Sequence, residues 1–178
     1  MGLLDVVDEK DNITGKEHFS IVHEKGLRHR SVNIFVFEDS RLARVLLSER
    51  SKSQAVSTGK IHVSAGGHVN QGQSYLDAAE MELREELFYG RDSLPAGVLL
   101  TEIARYSNNS RPTNKENTCL YSAVYAGPFF PDPSEIRRVF WGNMESLTED
   151  IFSGSLNRNY TNTLKEAVKF FRKFKGIL

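Results

Sequence analysis

Cysteine is nearly absent from this chain: Cys119 is the only one among 178 residues. That excludes an internal disulfide and fits a reducing compartment. Cys119 stands in the apolar run Cys119-Leu120-Tyr121-Ser122-Ala123-Val124-Tyr125, which reads as a buried strand carrying a structural thiol. Net charge is missing as well, with 23 Lys and Arg balancing 23 Asp and Glu. A neutral chain offers no overall field for nucleic acid or an anionic membrane. Long hydrophobic runs are lacking, and the N-terminus shows no signal-peptide pattern. A cytoplasmic protein without membrane or nucleic-acid partners is therefore expected. One local basic cluster, Lys25, Arg28, His29 and Arg30, is either a phosphate holder or a solvated loop before a strand.

Internal repeats and low-complexity tracts are also absent, and the length suits one domain spanning residues 1–178. Val32 to Phe37 and Arg44 to Ser48 read as strands joined by a turn near Glu38-Asp39-Ser40-Arg41. Ser51 to Lys60 is polar and reads as a loop, followed by a short strand over His62 to Ser64. Val98 to Tyr106 and Thr118 to Tyr125 read as two more strands, with the polar stretch Ser107 to Asn114 as the loop between them. Gly127-Pro128 and Pro131-Asp132-Pro133 break the chain. Arg137 to Trp141 is strand-like and Glu145 to Phe152 helical. An amphipathic helix closes the chain, capped by Asn162 or Thr163, with Leu164, Val168, Phe171 and Phe174 at helical spacing. It is expected to pack on the sheet, with a homodimer contact as the lesser option.

The most specific stretch begins at Gly66-Gly67-His68-Val69-Asn70-Gln71-Gly72-Gln73-Ser74. Ser74 with Asp77 three residues on forms a capping box that starts a helix. Leu76, Ala79, Leu83 and Leu87 form its apolar stripe. Glu82, Glu85 and Glu86 lie beside that stripe within an arc of roughly 100°. Glu82 and Glu86 are an i,i+4 like-charge pair, which destabilises a bare helix. A hard cation such as Mg²⁺ converts that repulsion into coordination. A solvated acidic face is the alternative.

A glycine loop running into this helix resembles the signature box of the Nudix hydrolase family. Gly67 matches the first glycine of the box. Glu82, Glu85 and Glu86 match the carboxylates at which the family binds divalent metal. Gln73, Met81 and Phe88 stand where the family has Glu, Arg and Gly. The first two normally pair with each other, and replacing both members of a buried pair can be nearly neutral. Gly90 is the expected substitute for the closing glycine, as a helix C-cap. Leu4 to Asp8, Gly15-Lys16, His23, Gly26 to Arg30, Leu46 to Ser51 and Val63 to Val69 are similar to the branch that contains isopentenyl-diphosphate isomerase.

The resemblance implies an α+β fold, a three-layer α/β/α sandwich with a mixed sheet. It implies Mg²⁺ or Mn²⁺ held by Glu82, Glu85, Glu86 and the Gly67 carbonyl. Glu85 is a third ligand or the base that positions water, and Glu86 joins the catalytic set. Glu116 is a candidate extra acid, and His68 a candidate metal or substrate contact. Arg50 and Arg105 are candidates for gripping a phosphate. The implied activity is hydrolysis of a diphosphate bond in a small molecule. A non-catalytic binding module is the alternative. Isomerase is the least favoured reading, because the isomerase uses a loop cysteine where this chain has Gly66. Met81→Arg alone is expected to bring no stability, since Gln73 offers it no charge; a large rise in thermal midpoint would refute the paired-replacement account.

Overall fold

The computed structural model describes residues 2–53, 57–153 and 159–176. Residues 54–56 of the expected Ser51–Lys60 loop lie outside them. The elements run β1 (Leu3–Val7), β2 (Ile13–His18), α1 (Phe19–Lys25), β3 (Arg28–Phe37), β4 (Arg44–Arg50), β5 (Ile61–His62), β6 (Ala65–His68) and α2 (Tyr75–Leu87). They continue with β7 (Thr101–Arg111), β8 (Asn114–Val124), β9 (Ile136–Asn143), α3 (Met144–Ser153) and α4 (Asn162–Phe174).

The sheet is organised around β3. One edge of β3 is shared along its length: β1 pairs at His29, β6 from Ser31 to Ile34, and β4 at Phe37. Its other edge pairs in parallel with β8, from Arg28 opposite Lys115 to Phe37 opposite Val124. The other pairings are antiparallel, so the sheet is mixed. Strands buried on both faces read as near-continuous apolar runs, and Val32 to Phe37 is such a run, interrupted only by Asn33.

Side chains alternate across β3, which separates two cores. Val32, Ile34 and Val36, with Cys119 and Tyr121, pack against Ala78, Ala79, Leu83 and Leu87 of α2. Phe35 and Phe37, with Leu120 and Leu47, pack against Leu147 of α3 and Leu164, Val168 and Phe171 of α4. Helices therefore cover both faces, giving the expected three-layer α/β/α arrangement. Among the described residues no helix is long and apolar enough to cross a membrane.

Several local expectations need correction. The polar stretch Ser107 to Asn114 belongs mostly to a long β7–β8 hairpin, because Asn108 and Asn117 hydrogen-bond inward and offset their polarity. The glycine loop begins as strand β6, since paired backbone tolerates glycine where a neighbour approaches closely. Leu76 is 43% exposed and leaves the apolar stripe of α2. The cap of α4 is Thr161, not Asn162 or Thr163, accepting the Leu164 N–H at 3.1 Å. Phe88 caps α2, and Gly90 serves the left-handed turn just beyond it. The N-terminal hairpin and α1 carry weak periodicity, and residue pattern alone does not reveal them.

Ser74 accepts the Asp77 N–H as read, and Cys119 is fully buried. Leu83, also fully buried, fastens α2 to the sheet. Leu83→Ala is expected to cost about 2–5 kcal/mol, the range for buried leucine truncation, read from urea unfolding.

Candidate active site

Strand β6 places its backbone between β3 and α2. A Cβ added to Gly67 would collide with the Glu82 carboxylate, so that acid lies directly on the glycine backbone. The neighbouring Gly66 backbone lies near enough to Glu86 to favour its charged form slightly. A Cβ on Gly66 would stand 2.6 Å from the Val32 carbonyl oxygen and 2.9 Å from Asn33 Oδ1. No side chain fits at position 66 unless that backbone shifts.

Glu86 is buried and Glu82 partly so. Burial, then the charges of Glu135 and Glu85, raises the Glu82 carboxyl to about 7. Glu86 is pushed well above the usual carboxylate range by burial, then by Glu82 and Glu135. The positive charge of Arg50 opposes this at Glu86 and at Glu135. Glu85 borders this pair at the surface: its side chain is 55% exposed and lies 3.3 Å from Arg84. The three box acids thus divide, with Glu82 and Glu86 together and Glu85 at the rim. Glu135 completes the acidic cluster. It sits in the loop before β9, whose Ile136 pairs with Arg50, and no periodic pattern marks it in the sequence.

The loop is braced without charge. Gln73 Oε1 accepts the Asn70 N–H at 3.1 Å. Gln73 Nε2 and Asn70 Nδ2 lie 3.6 and 3.9 Å from the Met81 sulfur. Asp5 adds an anchor from β1, accepting the Gly72 N–H at 2.9 Å. A weak thioether acceptor thus replaces an ion pair, and the amides keep partners.

Glu116 and His68 belong to a second centre. His23 from α1, His29 from β3 and His68 from β6 bring one ring nitrogen each within 4.8 Å of one another. Glu116 Oε1 is 3.8 Å from Nε2 of both His29 and His68. His29 Nδ1 bonds the Leu27 carbonyl at 3.0 Å, which leaves Nε2 as the bare acceptor. The Nε2 atoms of all three histidines and Asn114 Oδ1 are buried without hydrogen-bond partners. Burial lowers His29 to about 4 and His68 to about 3, and raises Glu116 to about 7. Neutral imidazoles with unpartnered ring nitrogens close together beside a carboxylate are the kind of donor set that suits a transition-metal ion. His23 and His29 escape a motif search because they straddle the end of a helix, and their H-x5-H spacing comes without the cysteine pair that would mark a zinc site.

Arg105 and the members of the basic cluster other than His29 fall outside both centres. Arg105 forms a two-pronged pair with Glu102 at 2.9 and 3.0 Å. The Lys25-to-Arg30 cluster is dispersed: His29 is buried, Arg30 holds Asp11, and Arg28 reaches Asn117 and Asn109.

A family model for the NUDIX domain matches residues 27–161. An uncharacterised Nudix hydrolase of Yersinia pestis is 31% identical over 150 residues, covering 82% of this chain and 75% of the relative. An isopentenyl-diphosphate Delta-isomerase of Serratia proteamaculans is 28% identical over 152 residues, covering 83% and 80%. The solved structure of DR0079 from Deinococcus radiodurans has a TM-score of 0.76 and 25% identity, covering 94% of this chain and 97% of that one. The chain belongs to the Nudix hydrolase family, which generally splits pyrophosphate linkages with a divalent metal.

Glu82 links this geometry to pH. Its folded form keeps a proton up to about 7, whereas the ordinary value is 4.5. In metal-free protein its stabilising contribution is full below pH 4.5 and lost as pH rises through 7. Glu82→Gln should therefore raise the thermal midpoint in chelator at pH 8, with the gain shrinking by pH 5. An equal gain at both pH values would contradict the burial of an ionised Glu82.

Proposed function

We propose that this chain is a metal-dependent hydrolase of a diphosphate bond in a small molecule, with the reaction centred on Glu82 and Glu86. The observation that carries this reading is the pair of elevated-pKa carboxylates packed on the Gly66–Gly67 backbone beside Arg50. Acids crowded in this way are poor company for one another and good company for a cation. The cradle that a Cβ would fill at Gly67 supports the fit. Glu82, Glu86 and the Gly67 carbonyl would hold Mg²⁺ or Mn²⁺, with Glu135 adding an oxygen. When bound, such a cation supplies charge neutralisation at the phosphoryl oxygens and a more acidic water.

The protein's own groups do the rest. Arg50 offers a planar guanidinium to a phosphate arriving at the acidic cluster. Glu85, at the rim, would take a proton from the attacking water and release it to solvent. His23, His29, His68 and Glu116 would hold a second cation of the transition series, with Asn114 Oδ1 as a further donor. Glu116 would act there as ligand or base.

Similarity to an isomerase raises a competing reading. The crowding at Gly66 argues against it: a proton-transferring side chain at that position would meet the Val32 carbonyl and the Asn33 amide. Glycine itself cannot transfer a proton.

Phosphate release from a panel of nucleoside, sugar, dinucleotide and isoprenoid diphosphates tests the proposal, with and without Mg²⁺ or Mn²⁺. Cation-dependent release is expected from wild type. Glu86→Gln should lose it by at least about a hundredfold, as when a transition-state charge contact is removed. Wild-type turnover in Glu86→Gln would end the proposed role of this acid.

A further inference from the structure

The central strand carries one amide where its neighbours are aliphatic. Asn33 lies between Val32 and Ile34, both fully buried, and is itself only 4% exposed. A buried amide is costly unless its polar atoms are paired, whereas two apolar partners of similar shape would be tolerated. Asn33 Nδ2 donates to the Tyr106 hydroxyl at 3.0 Å. The Tyr106 ring is buried and stacks on Phe170 of α4, with centroids 4.2 Å apart and planes 9° apart. That stack leaves the hydroxyl little room to wander, so the amide is held from behind.

The front of the same amide meets the glycine strand. The β3–β6 register sets Asn33 opposite Gly66. Its Oδ1 stands 2.9 Å from the point that a Cβ on Gly66 would occupy. Gly66 in turn is bonded to Gly67, whose backbone lies against the Glu82 carboxylate. A continuous line of contacts therefore runs from Phe170 through Tyr106, Asn33, Gly66 and Gly67 to Glu82.

We propose that Asn33, held by Tyr106, is a positioning residue for cation binding: by bearing on Gly66 it fixes the β6 backbone against which the Glu82 carboxylate rests. This rests on the proposed function and adds to it a residue that touches neither cation nor substrate. Asn33→Ala removes the bearing surface and lets the Gly66 peptide relax towards β3. Tyr106→Phe keeps the ring stack but removes the hydroxyl that holds the amide. Both changes act along one path, so their effects should not add.

The test is Mn²⁺ titration of the full chain without substrate, with free ion followed by electron paramagnetic resonance. The site followed is the one that Glu86→Gln removes. Thermal midpoints are measured in parallel. Asn33→Ala and Tyr106→Phe should each weaken that site about ten- to a hundredfold, as loss of an outer partner does. The double variant should be no weaker than the worse single one. If Asn33→Ala does not fold, Tyr106→Phe alone carries the test. Unchanged Mn²⁺ affinity beside a lowered thermal midpoint would reduce Asn33 to a packing residue and overturn the proposal. Wild-type protein with no site sensitive to Glu86→Gln would instead overturn the cation reading, and this proposal with it.

Discussion

Gly66 and Gly67 let the backbone of β6 lie against β3 on one side and α2 on the other, closer than any Cβ would permit. The arrangement of the site follows from that approach. Glu82 rests on Gly67, and the next residue, His68, turns towards His23 and His29. A four-residue strand thus touches both acidic and imidazole centres. Its pairing with the most buried strand of the sheet makes the placement rigid.

The site stores unfavourable electrostatics that the fold supports from elsewhere. Two core layers, one under α2 and one under α3 and α4, supply the apolar burial. Against that background the molecule keeps Glu82, Glu86 and Glu116 in surroundings that favour their protonated forms. Three imidazoles are likewise held where the charged form is disfavoured. A structure selected for stability alone would remove such groups, and strongly shifted titrating groups collect at functional sites. The neutral brace of Gln73, Asn70 and Met81 fits the same picture, because it steadies the loop without adding another ion to a crowded region.

Much of this was legible in the residues. The capped helix, its acidic stripe and the strands Val32–Phe37 and Thr118–Tyr125 follow from periodicities that depend only on local geometry. The box spacing carried the family and, with it, the three-layer fold. What escaped was set by tertiary context. Glu85 shares an arc with Glu82 and Glu86, yet helix spacing does not say which edge of an arc faces the cleft. Glu135 and Asn114 stand in unremarkable loop sequence and matter only through what the sheet brings beside them. Asn108 and Asn117 look like loop residues until Glu116 and the N-terminal hairpin supply their partners. His23 and His29 belong to different elements, and only the meeting of α1 with β3 joins them.

The parallel pairing of β3 with β8 has a consequence for how the molecule is made. Arg28 is matched with Lys115 and Phe37 with Val124, so one whole edge of the most hydrophobic strand waits for a partner far downstream. During synthesis β1, β2, β4, β6 and α2 all leave the ribosome before that partner exists. The nascent chain therefore passes through a stage with an open, apolar strand edge, which is the feature that invites pairing with other chains. Closure comes only with the β7–β8 hairpin, which also delivers Glu116 to the histidines. The step that seals the sheet against aggregation is thus the same step that assembles the imidazole centre.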